Sequence, residues 1–267
     1  MGLKLEVCVE TLAGLDAAVA GGADRIELCS ALALGGLTPS VGMMRAAARC
    51  GVPVLAMIRP RIGDFVWSGA EVQAMEAEIS AASEAGLAGV VLGASLPDGR
   101  LDLPVLRRLV AAARAAGGDR FLARNRVGAF EGSGPESSKI PAPLDLTLHR
   151  CFDLVPDQGE ALEQAVALGF RRVLTSGGEA TAIAGAARIG ELAAQASGRI
   201  VIMPGAGVTA QTAPVLLAQG VRELHGSCTE DFPLDGKVVA MGFGPAVERR
   251  TSAARVRALR QVMEAAG

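Results

Sequence analysis

The sequence predicts a (β/α)8 TIM barrel on three observations. Short apolar runs alternate with longer amphipathic segments rich in Ala, Leu, Glu and Arg; glycine often closes a helical segment before the next run; and no break in composition interrupts the alternation. Eight such units without a break favour one barrel over two domains, so a single domain is expected over 1–267. With half of its residues hydrophobic, the chain has ample material for a large core.

The first unit pairs a strand near 4–10 with a helix near 12–21. Glu6 and Cys8 fall on one face of this strand, and Val7 and Val9 on the other, because side chains alternate along a pleated backbone. The second strand, 25–30, repeats the pattern with Glu27 and Cys29 set against Ile26 and Leu28, and a helix at 40–50 follows. The third and fourth units are 53–59 with 69–85 and 89–94 with 102–116. The stretch 117–143, "GGDRFLARNRVGAFEGSGPESSKIPAP", then breaks the rhythm with Gly, Ser and Pro. It joins a helix to a strand and so belongs at the barrel floor, where a flexible insert or subunit contact is expected, not a lid. Strands near 144–149, 172–176, 199–203 and 221–226 alternate with helices near 158–168, 180–196, 210–219 and 252–266. The stretch 228–251 follows the last strand on the catalytic side and is the better lid candidate.

Charge and composition exclude several classes. With 26 basic and 28 acidic residues spread along the chain and a net charge of −2, no footprint for nucleic acid or an acidic membrane surface is present. The three lysines, Lys4, Lys139 and Lys237, lie outside the apolar strands, which argues against a Schiff-base nucleophile. The N-terminus runs directly into a strand, Glu6 stands where myristoylation expects Ser or Thr, and no uninterrupted apolar stretch reaches membrane-spanning length. A cytoplasmic location is expected. The five cysteines are odd in number, widely spaced and free of any C-x-x-C pair, so reduced thiols are expected in place of a disulfide framework or zinc cage.

In a barrel, the residues just past the strands share one mouth. Here these are Arg59, Arg61 and Asp64 after the third strand, His149, Arg150 and Asp153 after the fifth, and Ser176 and Gly177 after the sixth. Gly205 and Gly207 follow the seventh, and His225, Ser227 and Cys228 end the eighth. Both histidines of the chain therefore sit at strand C-termini, where imidazole serves as acid, base or ligand. Guanidinium forks and glycine-rich turns suit phosphate or carboxylate, which makes Arg59, Arg61, Arg150, Ser176, Gly205, Gly207 and His225 a candidate anion site. The same arginines could instead pair with Glu6, Glu27, Asp64 and Asp153. Adjacent parallel strands lie about 4.8 Å apart, so inward-facing Cys8 and Cys29 are either a seat for Cu(I) or small buried hydrophobes.

The combination of "LEVC" at 5–8, "GADRIELCSALALGGLTPS" at 22–40, "IRPRIGDF" at 58–65, "HRCFD" at 149–153, "RVLTSGG" at 172–178, "MPGAGVT" at 203–209 and "VAMG" at 239–242 resembles the CutC family over nearly the whole chain outside 117–143. The resemblance implies a (β/α)8 barrel, a cytoplasmic homo-oligomer such as a dimer or tetramer, and copper homeostasis with copper at Cys8 and Cys29. Two positions depart from the family pattern: Ile62 replaces a usual Gly, and Cys151 replaces a usual Ala, adding a thiol near the mouth.

Two functional readings follow. In one the protein binds Cu(I) through Cys8 and Cys29. In the other it is an enzyme acting on a small phosphorylated or carboxylated metabolite, with Glu27 and His149 as general base and acid, Arg59 beside them, and the acids of the barrel held by the arginines of the third strand. A non-catalytic scaffold is the weaker third.

Overall fold

The computed structural model describes residues 2–124 and 143–267. Eight short strands, β1 (Lys4–Val9), β2 (Arg25–Leu28), β3 (Val54–Met57), β4 (Gly89–Leu92), β5 (Asp145–Leu148), β6 (Arg172–Thr175), β7 (Val201–Pro204) and β8 (Glu223–Gly226), are buried almost throughout, as strands covered on both faces must be. All pair in parallel in the order β7-β6-β5-β4-β3-β2-β1-β8, and β7 and β8 lie side by side to leave a nearly closed barrel. All eight expected strands are present, seven of them trimmed by a residue or more, while β7 starts two residues later and ends one residue later than expected.

The helices are α1 (Leu12–Ala20), α2 (Val41–Ala47), α3 (Gly69–Glu84), α4 (Leu103–Arg124), α5 (Gln158–Leu168), α6 (Ala186–Ala196), α7 (Ala213–Leu217), α8 (Gly236–Ala240) and α9 (Ala253–Ala266). Side-chain oxygens of Thr11, Ser40, Ser68, Asp157 and Ser252 cap the first turns of α1, α2, α3, α5 and α9, and Ser68 with Glu71 forms a reciprocal capping box. Helix α6 begins later than the pattern suggests, and Gly185 just before it lies against the backbone of Ser176, where an added β-carbon would be 2.0 Å from the Ser176 carbonyl oxygen. Helix α4 runs through the start of the expected insert, and the rest of that insert, with the flexibility expected of it, lies outside the described residues. The expected lid, 228–251, contains an antiparallel hairpin of β9 (Thr229–Pro233) and β10 (Val247–Thr251) flanking α8. Among the described residues no helix is long and apolar enough to cross a membrane.

The outward face of the barrel strands packs on the helices through Val7, Ile26, Leu28, Val90, Val173 and Leu224. The inward face is mixed. Cys29, Leu55, Met57 and Val91 form a small apolar cluster, while the strand beginnings carry charge. Arg25 donates to Glu6 and Glu223 and approaches the Met203 sulfur at 3.3 Å. Arg172 donates to Glu223 at 3.2 Å, Thr147 at 3.1 Å and Asp145 at 2.9 Å. This network corrects the expected pairing, since Glu6 is held by Arg25 of β2 and not by an arginine of the third strand.

Removing one member of such a set strands the others as uncompensated buried charges. Arg172→Met is therefore expected to lower unfolding free energy by about 3–5 kcal/mol in urea titration. The same change at exposed Arg199, which pairs with Glu163 on the surface, should leave the midpoint nearly unmoved.

Candidate active site

Strand register stacks the polar residues above that ionic floor. Glu6 lies beside Arg25 on one side and His225 on the other, and Cys8 lies beside Glu27. The imidazole of His225 donates through Nδ1 to Glu6 Oε1 at 2.8 Å and presents Nε2 to Glu27 Oε2 at 3.7 Å. The thiol of Cys29 donates to Glu27 Oε2 at 3.5 Å, while Glu27 Oε1 is buried without a hydrogen-bond partner. Among the described residues, Cys8, Glu27 and His225 are the group of potential metal-ligating side chains whose donor atoms all lie within 4.8 Å of one another.

These contacts order the charges. Burial alone would raise the Glu6 carboxyl, but the Arg25 guanidinium and His225 outweigh it and hold Glu6 well below the usual carboxylate range. Burial would lower His225, yet Glu27, with Cys8 and then Glu6, presses it well above an ordinary histidine. Burial, with the nearby charge of Glu6, raises Glu27 against the opposing pull of His225. The Cys29 thiol is pushed up by burial and by Glu27.

Above this cluster opens a cavity of about 790 Å³ at the C-terminal ends of the strands. It gathers Cys8, Glu27, Arg59, His149, Arg150, Gly207, His225, Ser227 and Cys228 from the expected residues, and adds Thr209, Gln211 and Arg255. Arg61, Ser176, Gly205 and Cys29 are not among its lining residues. Arg61 is held outward by Asp64 at 2.9 Å and Glu71 at 2.6 Å and stacks over Trp67. Ser176 is bound into the turn after β6 by Asp153, which also takes the Arg150 Nε at 2.7 Å. Cys228 and Thr229 are the members of the expected lid stretch that reach the cavity. Ala206 and Cys228 line it with left-handed backbone, φ 74° and 48°, an arrangement that costs energy for residues other than glycine and clusters at functional sites.

Two buried groups at this mouth are arranged differently from what their types suggest. Arg59 is 7% exposed and donates only to backbone carbonyls: Leu34 at 3.0 Å, Gly36 at 3.3 Å and Gly63 at 3.0 Å. Among the described residues it has no carboxylate partner, and its Nε–H has no acceptor. His149 caps a short 3-10 turn, Arg150–Leu154, and its Nδ1 accepts the Cys151 backbone N–H at 3.1 Å. Burial, aided by the positive charge of Arg59, lowers its pKa to about 3, so the imidazolium form expected of a general acid is absent near neutrality. Gly93 makes room for this ring, since a β-carbon there would lie 2.4 Å from Cys151 Sγ and 2.5 Å from His149 Cε1. Cys151 itself is buried beneath the mouth with its thiol raised to about 12 by burial, so it adds no thiolate there. Ile62, the other departure, is an exposed residue.

A model of the CutC family matches residues 3–123 and 136–230. The chain belongs to the CutC family. A CutC family protein of Sinorhizobium medicae (strain WSM419) is 52% identical over 98% of this chain and 97% of its own length, and one from Caulobacter vibrioides (strain NA1000 / CB15N) is 48% identical over 94% and 93%. The crystal structure of the CutC protein of Streptococcus agalactiae is 32% identical, covers 84% of this chain and 98% of its own, and superimposes with a TM-score of 0.70. A KGPDC structure from Streptococcus mutans, 12% identical with a TM-score of 0.57 over 99% of each chain, shares the fold.

The depressed His149 sets a pH dependence with a definite sign. Between the ordinary histidine value of 6.5 and about 3 the unfolded chain takes up a proton that the folded chain refuses, so stability falls as pH drops through that window. Chemical denaturation at pH values from about 6.5 to 4.5 should show His149→Gln losing roughly 1.4 kcal/mol per pH unit less than the wild type. Equal slopes would contradict the assignment.

Proposed function

We propose that this CutC family member is an enzyme acting on a small anionic metabolite at the mouth of its barrel. Arg59 carries this reading. A buried guanidinium without a carboxylate partner is costly, and a bound anion would supply the missing counter-charge. Arg59 lines the cavity whose base is Glu27, so an anion beside Arg59 would place the remainder of a small ligand toward that carboxylate. Glu27 and His225 then form the proton-transfer pair, with Glu6 and Arg25 fixing the imidazole. Among the described residues no lysine lines the cavity, in keeping with proton transfer, elimination or hydrolysis over Schiff-base chemistry.

Thermal shift and calorimetry with sulfate, phosphate and small dicarboxylates test the reading. The wild type should be stabilised by at least one of them, and Arg59→Gln should lose about tenfold or more in affinity for it, as expected when a charge-assisted contact is removed. Absence of any anion effect, or an unchanged Arg59→Gln, would overturn it.

A second reading is metal handling, favoured by the Cys8, Glu27 and His225 cluster. The Streptococcus agalactiae relative is described as a copper homeostasis protein. In this reading Cu(I) is cargo taken by the thiols of Cys8 and Cys29, with soft sulfur as the selecting ligand. Copper retention against a Cu(I) chelator should then be near one equivalent in the wild type and should vanish in Cys8→Ser and in the double variant with Cys29→Ser; undiminished retention by the double variant removes the site.

A further inference from the structure

The tautomer of His149 points beyond anion binding to a class of reaction. Its Nδ1 accepts the backbone N–H of Cys151 at 3.1 Å, so Nδ1 carries no hydrogen and the ring proton resides on Nε2. A backbone amide cannot turn away, and Gly93 and Phe65, whose ring centroid is 4.6 Å from that of His149, hold the imidazole in place. The result is a neutral ring in the cavity wall with one N–H that has no acceptor among the described residues. His149 is 3% exposed, and burying such a donor without a partner is costly, so it is suited to a partner that arrives with the ligand. Cationic Arg59 lies beside it and Glu27 Oε1, equally without a partner, lines the same cavity.

We propose that the site catalyses proton transfer at a carbon next to a carbonyl, with the neutral Nε2–H of His149 as the hydrogen-bond donor to the carbonyl oxygen. The inference rests on the anionic-metabolite reading: Arg59 takes the anionic group, and the substrate is a small carbonyl compound that carries one. The C–H bond on the neighbouring carbon breaks, and its proton passes to Glu27. Its electron pair forms a carbon–carbon double bond while the carbonyl π pair moves onto oxygen, where His149 Nε2–H stabilises the resulting enolate. Return of the proton to carbon completes an isomerisation or epimerisation; loss of a leaving group from the next carbon, with its bonding pair, completes an elimination. A neutral imidazole suits this role because it donates a hydrogen bond without surrendering its proton to solvent, the way some proton-transfer enzymes use histidine.

The test has two parts. Long-range ¹H–¹⁵N spectroscopy of the full chain at neutral pH should assign His149 as the neutral ring protonated on Nε2. An imidazolium, or a ring protonated on Nδ1, overturns the proposal. Oxalate and phosphoglycolohydroxamate, planar mimics of the enolates of a 2-oxo acid and of a phosphorylated hydroxyketone, are then compared by calorimetry with tetrahedral malonate and glycerol 3-phosphate. The wild type should favour the planar member of one pair, and His149→Ala and His149→Asn should lose about tenfold or more for that member while keeping the tetrahedral one, the cost of one removed donor. The pair that responds separates carboxylate from phosphate substrates. Tetrahedral binding that persists without planar preference, or a preference untouched in both variants, sinks this inference and leaves the anion reading standing. Failure of all four compounds to bind overturns this inference, and the anion reading falls with it only if sulfate and phosphate are also without effect.

Discussion

Glu6 is the residue on which the interior of this barrel turns. Its carboxylate is fully buried and takes a guanidinium on one oxygen and an imidazole on the other. Below it, Arg25 passes the connection to Glu223 and from there to Arg172 and Asp145, which binds five strands, that of Glu6 included, through side chains as well as through their ladders. Above it, His225 is oriented toward Glu27. One buried carboxylate thus joins the ionic floor of the barrel to the groups that line the cavity.

Buried ion networks seldom stabilise more than a well-packed apolar core of equal volume would, so their presence is better explained by what they position. Here the positioned object is a histidine flanked by two carboxylates, one satisfied and one with a free oxygen. The second histidine is treated in the opposite way. It faces a cation, receives a backbone hydrogen bond and is kept neutral. With only two histidines in the chain, the fold places one in a carboxylate-rich setting and the other beside a buried arginine, and so gives a single side-chain type two opposite electrostatic settings.

Much of this was legible in the sequence, for identifiable reasons. Alternation along β1 and β2 placed Glu6, Cys8, Glu27 and Cys29 inside the barrel, because period two is enforced by the pleat. The eight apolar runs located the strands, and the residues after them located the mouth. The partners were not legible. Arg25 and Arg172 are first residues of their strands, next to loop residues, and look like solvent-facing flanks until the curved sheet brings Glu6, Glu223 and Asp145 to them inside the barrel. Arg59 and Arg61 follow β3 by two and four residues and look alike in the sequence, yet Asp64 and Glu71 draw the second outward. The role of His149 depends on a peptide N–H two residues later, which no side-chain pattern reports. The β9–β10 hairpin was missed because "TEDFP" and "VERRT" have little apolar alternation to signal a strand.

The chain contains one tryptophan, and its place gives the protein a built-in optical reporter. The indole of Trp67 donates to the Gly93 carbonyl at 2.9 Å, meets Phe65 edge-on at a centroid distance of 6.2 Å, and lies under the Arg61 guanidinium at 4.9 Å. Phe65 in turn contacts both His149 and Arg59. Intrinsic fluorescence from this chain therefore originates from a single locus, one aromatic ring removed from the two buried groups that face the cavity.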